Sequence, residues 1–305
     1  MRKTILLTGA MGFVGRNILR AARAQGSQDL WIGVDFAQDL SIDRNELPEN
    51  YSFHALDLGN PRAIDAILKG NPPDVVLHFA GCISKGNDPD NHMRLFRSNV
   101  ETTWNLLGAL PRPAYFVLAS TGMIYGSQPG PFEESMLTQP SDDYSLCKLM
   151  AEEAVLAYAK LGKLQATILR PAVLYGKGQK GDMFIPALCR ALTSGAHFPM
   201  TGGEQTRDFV HVRDLCNAVF SLMETEVTGI YNVGTGASIS MRHVAQKALE
   251  LVGDASLLGI GDIAYRAQEI WDYRLSASKL QQATGWVPQI TLDQGIQEII
   301  EENKV

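Results

Sequence analysis

Thr8-Gly9-Ala10-Met11-Gly12-Phe13-Val14-Gly15 is the stretch on which the reading of the whole chain turns. Before it, Lys3–Thr8 (K-T-I-L-L-T) is a short apolar run of β type. After it, Phe13–Ala24 carries Val14, Ile18, Leu19 and Ala22 at helical spacing, with Gly26 where a C-cap stands. Glycines between a strand and a helix have separate uses. Gly9 permits a tight turn, Gly12 lets the backbone approach a pyrophosphate without a β-carbon in the way, and Gly15 lets helix and strand pack closely. The helix N-terminus adds free N–H groups and the positive end of a dipole. Asp35 ends the next strand candidate, 20 residues after Gly15. Its carboxylate can accept both hydroxyls of an adenosine ribose and would repel a 2′-phosphate. No Arg or Lys stands among Phe36, Ala37 and Gln38, so NAD is favoured over NADP. The competing reading is a structural turn with a coincidental aspartate. The order strand, turn, helix, strand, acid weighs against it.

Working outward, Leu30–Asp35, Tyr51–Asp57, Asp74–Ala80, Ala114–Ser120 and Gln165–Arg170 read as strands, rich in Val, Leu, Ile and aromatics. Pro61–Leu68, about 93–110 and Tyr144–Leu161 read as helices between them. This alternation predicts an α/β fold, a doubly wound parallel Rossmann sheet. Beyond Pro171 the regularity loosens. G-K-G-Q-K-G-D at Gly176–Asp182 is loop chemistry, and the helix at Met241–Val252 no longer follows a strict β-α rhythm. The expected division is an NAD-binding domain at 1–172 and a smaller mixed α/β substrate domain at 173–305, with about 207–236 returning to the first.

The 305 residues, 45% hydrophobic and 20% charged, are too apolar for a disordered chain. No uncharged apolar run approaches the roughly 18–20 residues of a membrane span. The start, Met1-Arg2-Lys3-Thr4-Ile5-Leu6-Leu7, is too short in apolar residues for a signal peptide and reads as a strand. A formal charge of −6 argues against a nucleic-acid partner. Four scattered cysteines without a C-x-x-C pair read as reduced thiols of a cytoplasmic protein. Six histidines without ligand spacing give no support to a metal site; His78 and His211 read as packed strand residues.

Tyr144 and Lys148 stand four residues apart, on one face of a helix. A free phenol, pKa about 10, is a poor base at neutral pH. A neighbouring ammonium and a positive nicotinamide ring would both lower it. Such a tyrosine can exchange the proton of a carbinol while the cofactor exchanges hydride. A single Y-x-x-x-K arises by chance in roughly a third of such chains, so its partner matters. Ser120-Thr121 ends the fifth strand, at the sheet edge where ligands bind, and a hydroxyl there could hold the same substrate oxygen. The bland alternative is that both merely start a turn.

Together these residues resemble the extended short-chain dehydrogenase/reductase family, in its nucleotide-sugar epimerase/dehydratase branch. The likeness runs from Lys3 to about Pro288. Further markers are Asp57-Leu58, H-F-A-G at His78–Gly81, N-V-E-T-T-W-N-L-L at Asn99–Leu107, S-T-G-M-I-Y-G at Ser120–Gly126, R-P-A-V-L-Y-G at Arg170–Gly176, R-D-F-V-H-V at Arg207–Val212 and Y-N-V-G-T-G at Tyr231–Gly236. The resemblance implies catalytic roles for Thr121, Tyr144 and Lys148, the lysine also holding the cofactor ribose. It implies a cofactor site formed by Gly9, Gly12, Phe13, Val14, Gly15, Asp35, Asp57, Leu58, Ala80, Gly81 and Asn99. Ser120, Thr121, Arg207 and Arg266 would contact a nucleotide-sugar substrate, the arginines gripping its diphosphate. It also implies a homodimer through the helices near Asn99 and Tyr144.

Three departures bear on the activity. Where the 4,6-dehydratases of the family have an acidic pair after the catalytic threonine, this chain has Gly122 and Met123. Val173 replaces a substrate-contacting asparagine, and Ile83 replaces a lysine of the galactose epimerases. The expected activity is an NAD-dependent nucleotide-sugar 4-epimerase. The alternatives are a nucleotide-4-keto-sugar reductase, a dehydratase, and an NAD-sensing binding protein. The last would be expected to lose Tyr144 or Lys148, and both are present.

Overall fold

In the computed structural model, which describes residues 2–36, 42–84, 88–267 and 269–304, the first half winds as one sheet. Its strands are β1 (Thr4–Thr8), β2 (Leu30–Asp35), β3 (Tyr51–Ala55), β4 (Val75–His78), β5 (Tyr115–Ala119) and β6 (Gln165–Pro171). They lie in the order 3-2-1-4-5-6, every pairing among them parallel, and Gly229–Val233 adds a seventh strand beside β6. That order places the reversal of winding between β1 and β4, where open parallel sheets form their ligand crevice. Strands covered on both faces need apolar residues in succession rather than alternation. Hence I-L-L at 5–7 and V-V-L at 75–77 are completely buried.

The helices are α1 (Phe13–Ala24), α2 (Pro61–Gly70), α3 (Pro89–Phe96), α4 (Thr102–Ala109) and α5 (Asp143–Lys160). α1 buries Ile18, Leu19 and Ala22 as its spacing requires. The single helix expected at about 93–110 is different. It starts earlier, where the Asp88 side chain caps Asn91 N–H and Pro89 supplies a preset φ. It is then interrupted by a π-helical turn at Arg97–Glu101. There the Asn99 side chain donates to the Leu95 carbonyl at 3.0 Å, competing with the backbone ladder. Such turns concentrate at functional sites.

The chain divides into two compact units: 1–124, 138–170 and 219–231, and 125–137, 171–218 and 232–305. The break after 170 falls two residues before the expected one, and the division differs from the expectation in two further places. Residues 125–137 join the second unit because Phe132 bonds both ways with the 274–276 backbone and stacks on Tyr125 at 5.1 Å. Of the expected return at 207–236, only 219–231 belongs to the first unit. The Val227 carbonyl accepts from Tyr115, and Phe220 packs edge-on against Trp31. Residues 206–211 instead pair with strands at 173–175, 239–240 and 272–273.

The second unit has its own core between the helices Phe184–Thr193, Met241–Val252 and Leu292–Asn303. Asp208 of the same unit is wholly buried and accepts from Thr235 N–H and O–H, Gly236 N–H and Leu275 N–H. No helix among the described residues is long and apolar enough to cross a membrane.

Candidate active site

β1 delivers the chain into the glycine turn, and the turn has almost no spare volume. Gly9 has φ +69°, and a β-carbon there would sit 2.7 Å from Ala80 N and the Phe79 carbonyl. At Gly15 it would stand 2.1 Å from the Gly9 oxygen. Gly12 is different: its β-carbon would meet only the Gly9 oxygen, at 3.2 Å. Gly12 caps α1 without a side chain, so the helix start presents bare backbone. Asp35 is braced across the turn, one oxygen accepting from Met11 N–H at 2.8 Å and the other from Phe36 N–H at 2.7 Å.

A cleft of about 770 Å³ opens over this turn. Gly9, Gly12, Asp35, Asp57, Leu58, Ala80 and Gly81 line it; Phe13, Val14, Gly15 and Asn99 do not. Gly15 serves instead to seat α1 on the turn. Reading the sequence missed Met11, Arg16, Arg94 and Arg97, which also line the cleft. Met11 lies within the glycine stretch and Arg16 directly after it, while Arg94 and Arg97 are marked in the sequence by a spacing of one helical turn. Ala37 and Gln38, invoked for the cofactor preference, lie outside the described residues.

α5 places the second group. Asp142 and Ser145 form a reciprocal capping box that fixes the helix start one residue before Tyr144 enters it. Lys148 follows one turn later, 6% exposed, its Nζ donating to the Ala119 carbonyl at 2.9 Å and lying 6.0 Å from the Tyr144 ring centre. Burial pulls the Lys148 ammonium down to about 8, opposed by the neighbouring Cys82, Glu152 and Cys147. Burial pushes the Tyr144 phenol up, assisted by Asp142 and Cys82, while a hydrogen bond with Thr121 works the other way. The expected lowering of the phenol by Lys148 is therefore not what the protein alone produces. The ammonium is held by a carbonyl, and desolvation dominates.

Thr121 is 7% exposed and brought to Tyr144 by the end of β5. Ser120 is not available to a substrate. Its hydroxyl donates to the Glu152 carboxylate in the interior, and the residue is 4% exposed. Successive residues leaving a strand point to opposite sides, so only one of the two adjacent hydroxyls can face Tyr144. Asn99 is 1% exposed; its amide donates to the Cys82 and Leu95 carbonyls, and its Oδ1 has no partner among the described residues. A β-carbon on Gly81 would lie 2.5 Å from that oxygen and 3.2 Å from Lys148 Nζ. An open acceptor and an ammonium thus flank a bare glycine at the edge of the cleft.

In the second unit Arg207 is not a loose cation. Its guanidinium donates to the Thr206 and Ile270 carbonyls at 2.8 and 2.5 Å and to Glu269 at 2.5 Å. Sequence reading missed Glu269. Arg266 is exposed.

A sequence model of the NAD dependent epimerase/dehydratase family matches residues 5–234. The chain belongs to that family. UDP-N-acetyl-alpha-D-glucosaminuronate decarboxylase of Bacillus cytotoxicus is 27% identical over 319 residues, covering 99% of this chain and 98% of its own. UDP-glucose 4-epimerase of Azospirillum brasilense is 27% identical over 309 residues, covering 93% and 87%. The crystal structure of Thermus thermophilus UDP-glucose 4-epimerase in complex with NAD superposes with a TM-score of 0.86 at 25% identity, covering 100% and 99%.

Membership makes this protein an NAD-dependent enzyme of the extended short-chain dehydrogenase/reductase type. Its own residues fit that cofactor. The turn is a cradle that β-carbons would fill, the helix start above it carries uncapped N–H groups, and a carboxylate stands at the end of β2. Gly122 begins a 3-10 turn and Met123 follows it, so no carboxylic acid occupies the two positions after Thr121.

Proposed function

We propose that this enzyme is a nucleotide-sugar 4-epimerase in which Tyr144 is the acid/base. The observation that carries the reading is the meeting of Thr121, Tyr144 and Lys148 in one unit with the glycine cleft, without an acid at 122 or 123. Bound NAD supplies the acceptor, and then the donor, for the hydride of the sugar 4-carbon. Tyr144 takes the 4-hydroxyl proton and later returns it to the same oxygen. The Thr121 hydroxyl steadies that oxygen as its charge changes. Lys148 holds the cofactor ribose and keeps a positive charge within reach of the phenol. Gly9, Gly12, Asp35, Asp57, Leu58, Ala80 and Gly81 hold the cofactor, with Asn99 Oδ1 an acceptor at its edge. Arg207 exchanges part of its bond to Glu269 for the substrate diphosphate, with Arg266 as a second cation.

A dehydratase would need a general acid to drive elimination, and Gly122 and Met123 cannot provide one. The first unit carries the cofactor and the second recognises the nucleotide sugar. We further place the enzyme in a homodimer through α3, α4 and α5, which expose Phe96, Trp104, Leu146 and Met150. Four unpaired cysteines fit a reducing, cytoplasmic setting.

The test is turnover of UDP-, dTDP-, GDP- and CDP-hexoses with NAD, products read by NMR, by wild type and Tyr144→Phe. Epimerisation without net NADH consumption, lost in Tyr144→Phe with NAD binding intact, is expected. Stoichiometric NADH oxidation would move the reading to a 4-ketoreductase. Wild-type turnover in Tyr144→Phe would remove the phenol from the mechanism.

A further inference from the structure

The side of α5 that carries Tyr144 and Lys148 continues to Glu152, each residue four beyond the last and so on one helical face. Each meets one of three consecutive residues at the end of β5. Lys148 Nζ donates to the carbonyl of Ala119 at 2.9 Å, Glu152 accepts from the hydroxyl of Ser120, and Tyr144 shares a hydrogen bond with Thr121. The middle contact is anchored further by an ion pair. Arg170, at the end of β6, donates from Nε to Glu152 Oε1 at 3.1 Å and from Nη2 to Oε2 at 2.6 Å. The Ser120 N–H donates to the Leu169 carbonyl at 2.7 Å, so the two strand ends are themselves joined there. Glu152, Arg170 and Ser120 are 1%, 3% and 4% exposed.

We propose that Glu152, gripped by Arg170, is a positioning residue that sets the axial register of α5 against the ends of β5 and β6, and thereby holds Tyr144 on Thr121. This rests on the reading of Tyr144, Thr121 and Lys148 as the reacting group. The physical reason is that apolar burial is non-directional, whereas a forked guanidinium–carboxylate pair has one geometry and so adds a directional constraint along the helix axis. A buried ion pair is a poor device for stability, because desolvation offsets its attraction. Its directional bonds give a use that a leucine–methionine pair could not. The Glu152 charge also opposes the effect of burial on Lys148, among neighbours that include Cys82, Cys147, Tyr144 and the imidazole of His78.

The experiment compares Glu152→Gln, the volume-matched pair Glu152→Met/Arg170→Met, and Ser120→Ala, which leaves the ion pair whole. Folding is read by melting and near-UV circular dichroism. Lys148 titration is read without substrate from 13Cε-lysine spectra, assigned with Lys148→Arg. In a folded Glu152 variant, kcat is expected to fall about 10²-fold, the scale of a small misplacement of reacting groups. KM should change little, and the Lys148 titration should move down from about 8. Ser120→Ala should lower kcat in a variant that still folds and melts only a few degrees below wild type. A folded Glu152 variant with wild-type kcat and Lys148 titration overturns the proposal. So does wild-type kcat in Ser120→Ala if both Glu152 variants unfold, since the cluster then serves stability alone. Absence of any nucleotide-sugar turnover in wild type defeats the functional reading instead, and the register role is then judged by the substrate-free Lys148 titration in Ser120→Ala, which keeps the Glu152 charge: a wild-type titration there overturns it.

Discussion

Gly12 and Gly15 are separated by one turn of chain, and adding a methyl group to each is expected to do opposite things. At Gly15 the new β-carbon would lie 2.1 Å from the Gly9 oxygen and 2.8 Å from Ala10 Cα, both backbone atoms with no rotamer to yield. Overpacking typically costs about 1–3 kcal/mol, and an overlap exceeding 1 Å against fixed backbone belongs at the upper end. Alanine recovers about 1 kcal/mol of helix propensity in α1, leaving a net loss of about 2 kcal/mol. At about 2–4 °C per kcal/mol for a chain this large, Gly15→Ala should melt about 4–8 °C lower. At Gly12 the β-carbon meets one atom, at 3.2 Å. The loss there is that of alanine at an N-cap, about 1 kcal/mol or less. That methyl instead stands between the helix start and an approaching phosphate. Losing one charge-assisted contact, about 1.5–3 kcal/mol, would raise the NAD Kd about 10- to 100-fold. Calorimetric melting and NAD titration of the two variants make the assay. Gly12→Ala binding NAD like wild type, or Gly15→Ala melting like wild type, would refute the division of labour within the turn.

Asp35→Ala should weaken NAD by about 10- to 100-fold through the lost ribose contact, without weakening NADP further. An unchanged ratio of the two dissociation constants would show that Asp35 does not select the cofactor. His78, 1% exposed, accepts from the Thr8 hydroxyl at 2.7 Å and donates to Thr103 at 2.9 Å, whose own proton goes to the Asn99 carbonyl. That chain requires the neutral Nε2–H form, and burial, with help from Lys148, pulls the imidazole down to about 3. In the unfolded chain the same group titrates near 6.5, so below that pH the unfolded state takes up a proton that the folded state refuses. Stability should fall by about 1.4 kcal/mol per pH unit from 6.5 towards 3 on this account. Urea unfolding at pH 7, 6 and 5 should show that slope flattened in His78→Gln; equal slopes would contradict it. Asp208→Ala should destabilise by about 2–4 kcal/mol, because its four donors lose their shared acceptor in the interior. Denaturant midpoints within error of wild type would show that water replaces it.

What the sequence determined by itself is what depends on neighbours along the chain. The glycine turn, the helix over 13–24, the strand over 30–35 and the pairing of Tyr144 with Lys148 are set by local sterics, hydrophobic period and helical spacing. A run such as Ile5-Leu6-Leu7 needs no partner to be recognised as a doubly covered strand. Tertiary structure decided what depends on groups brought from far away. Ser120 and Thr121 are equivalent on paper. Only the arrival of Glu152 and Arg170 turns one inward, while Tyr144 takes the other. The π turn carries Asn99, whose amide reaches the distant Cys82 carbonyl beside the bare Gly81. Arg207 carries its charge in any sequence, and Glu269, 62 residues away, neutralises it. The phenol of Tyr144 follows the same rule. Spacing places a lysine one turn away, but burial and the nearby Asp142 and Cys82 determine where the phenol titrates, because desolvation is a property of everything packed around a group.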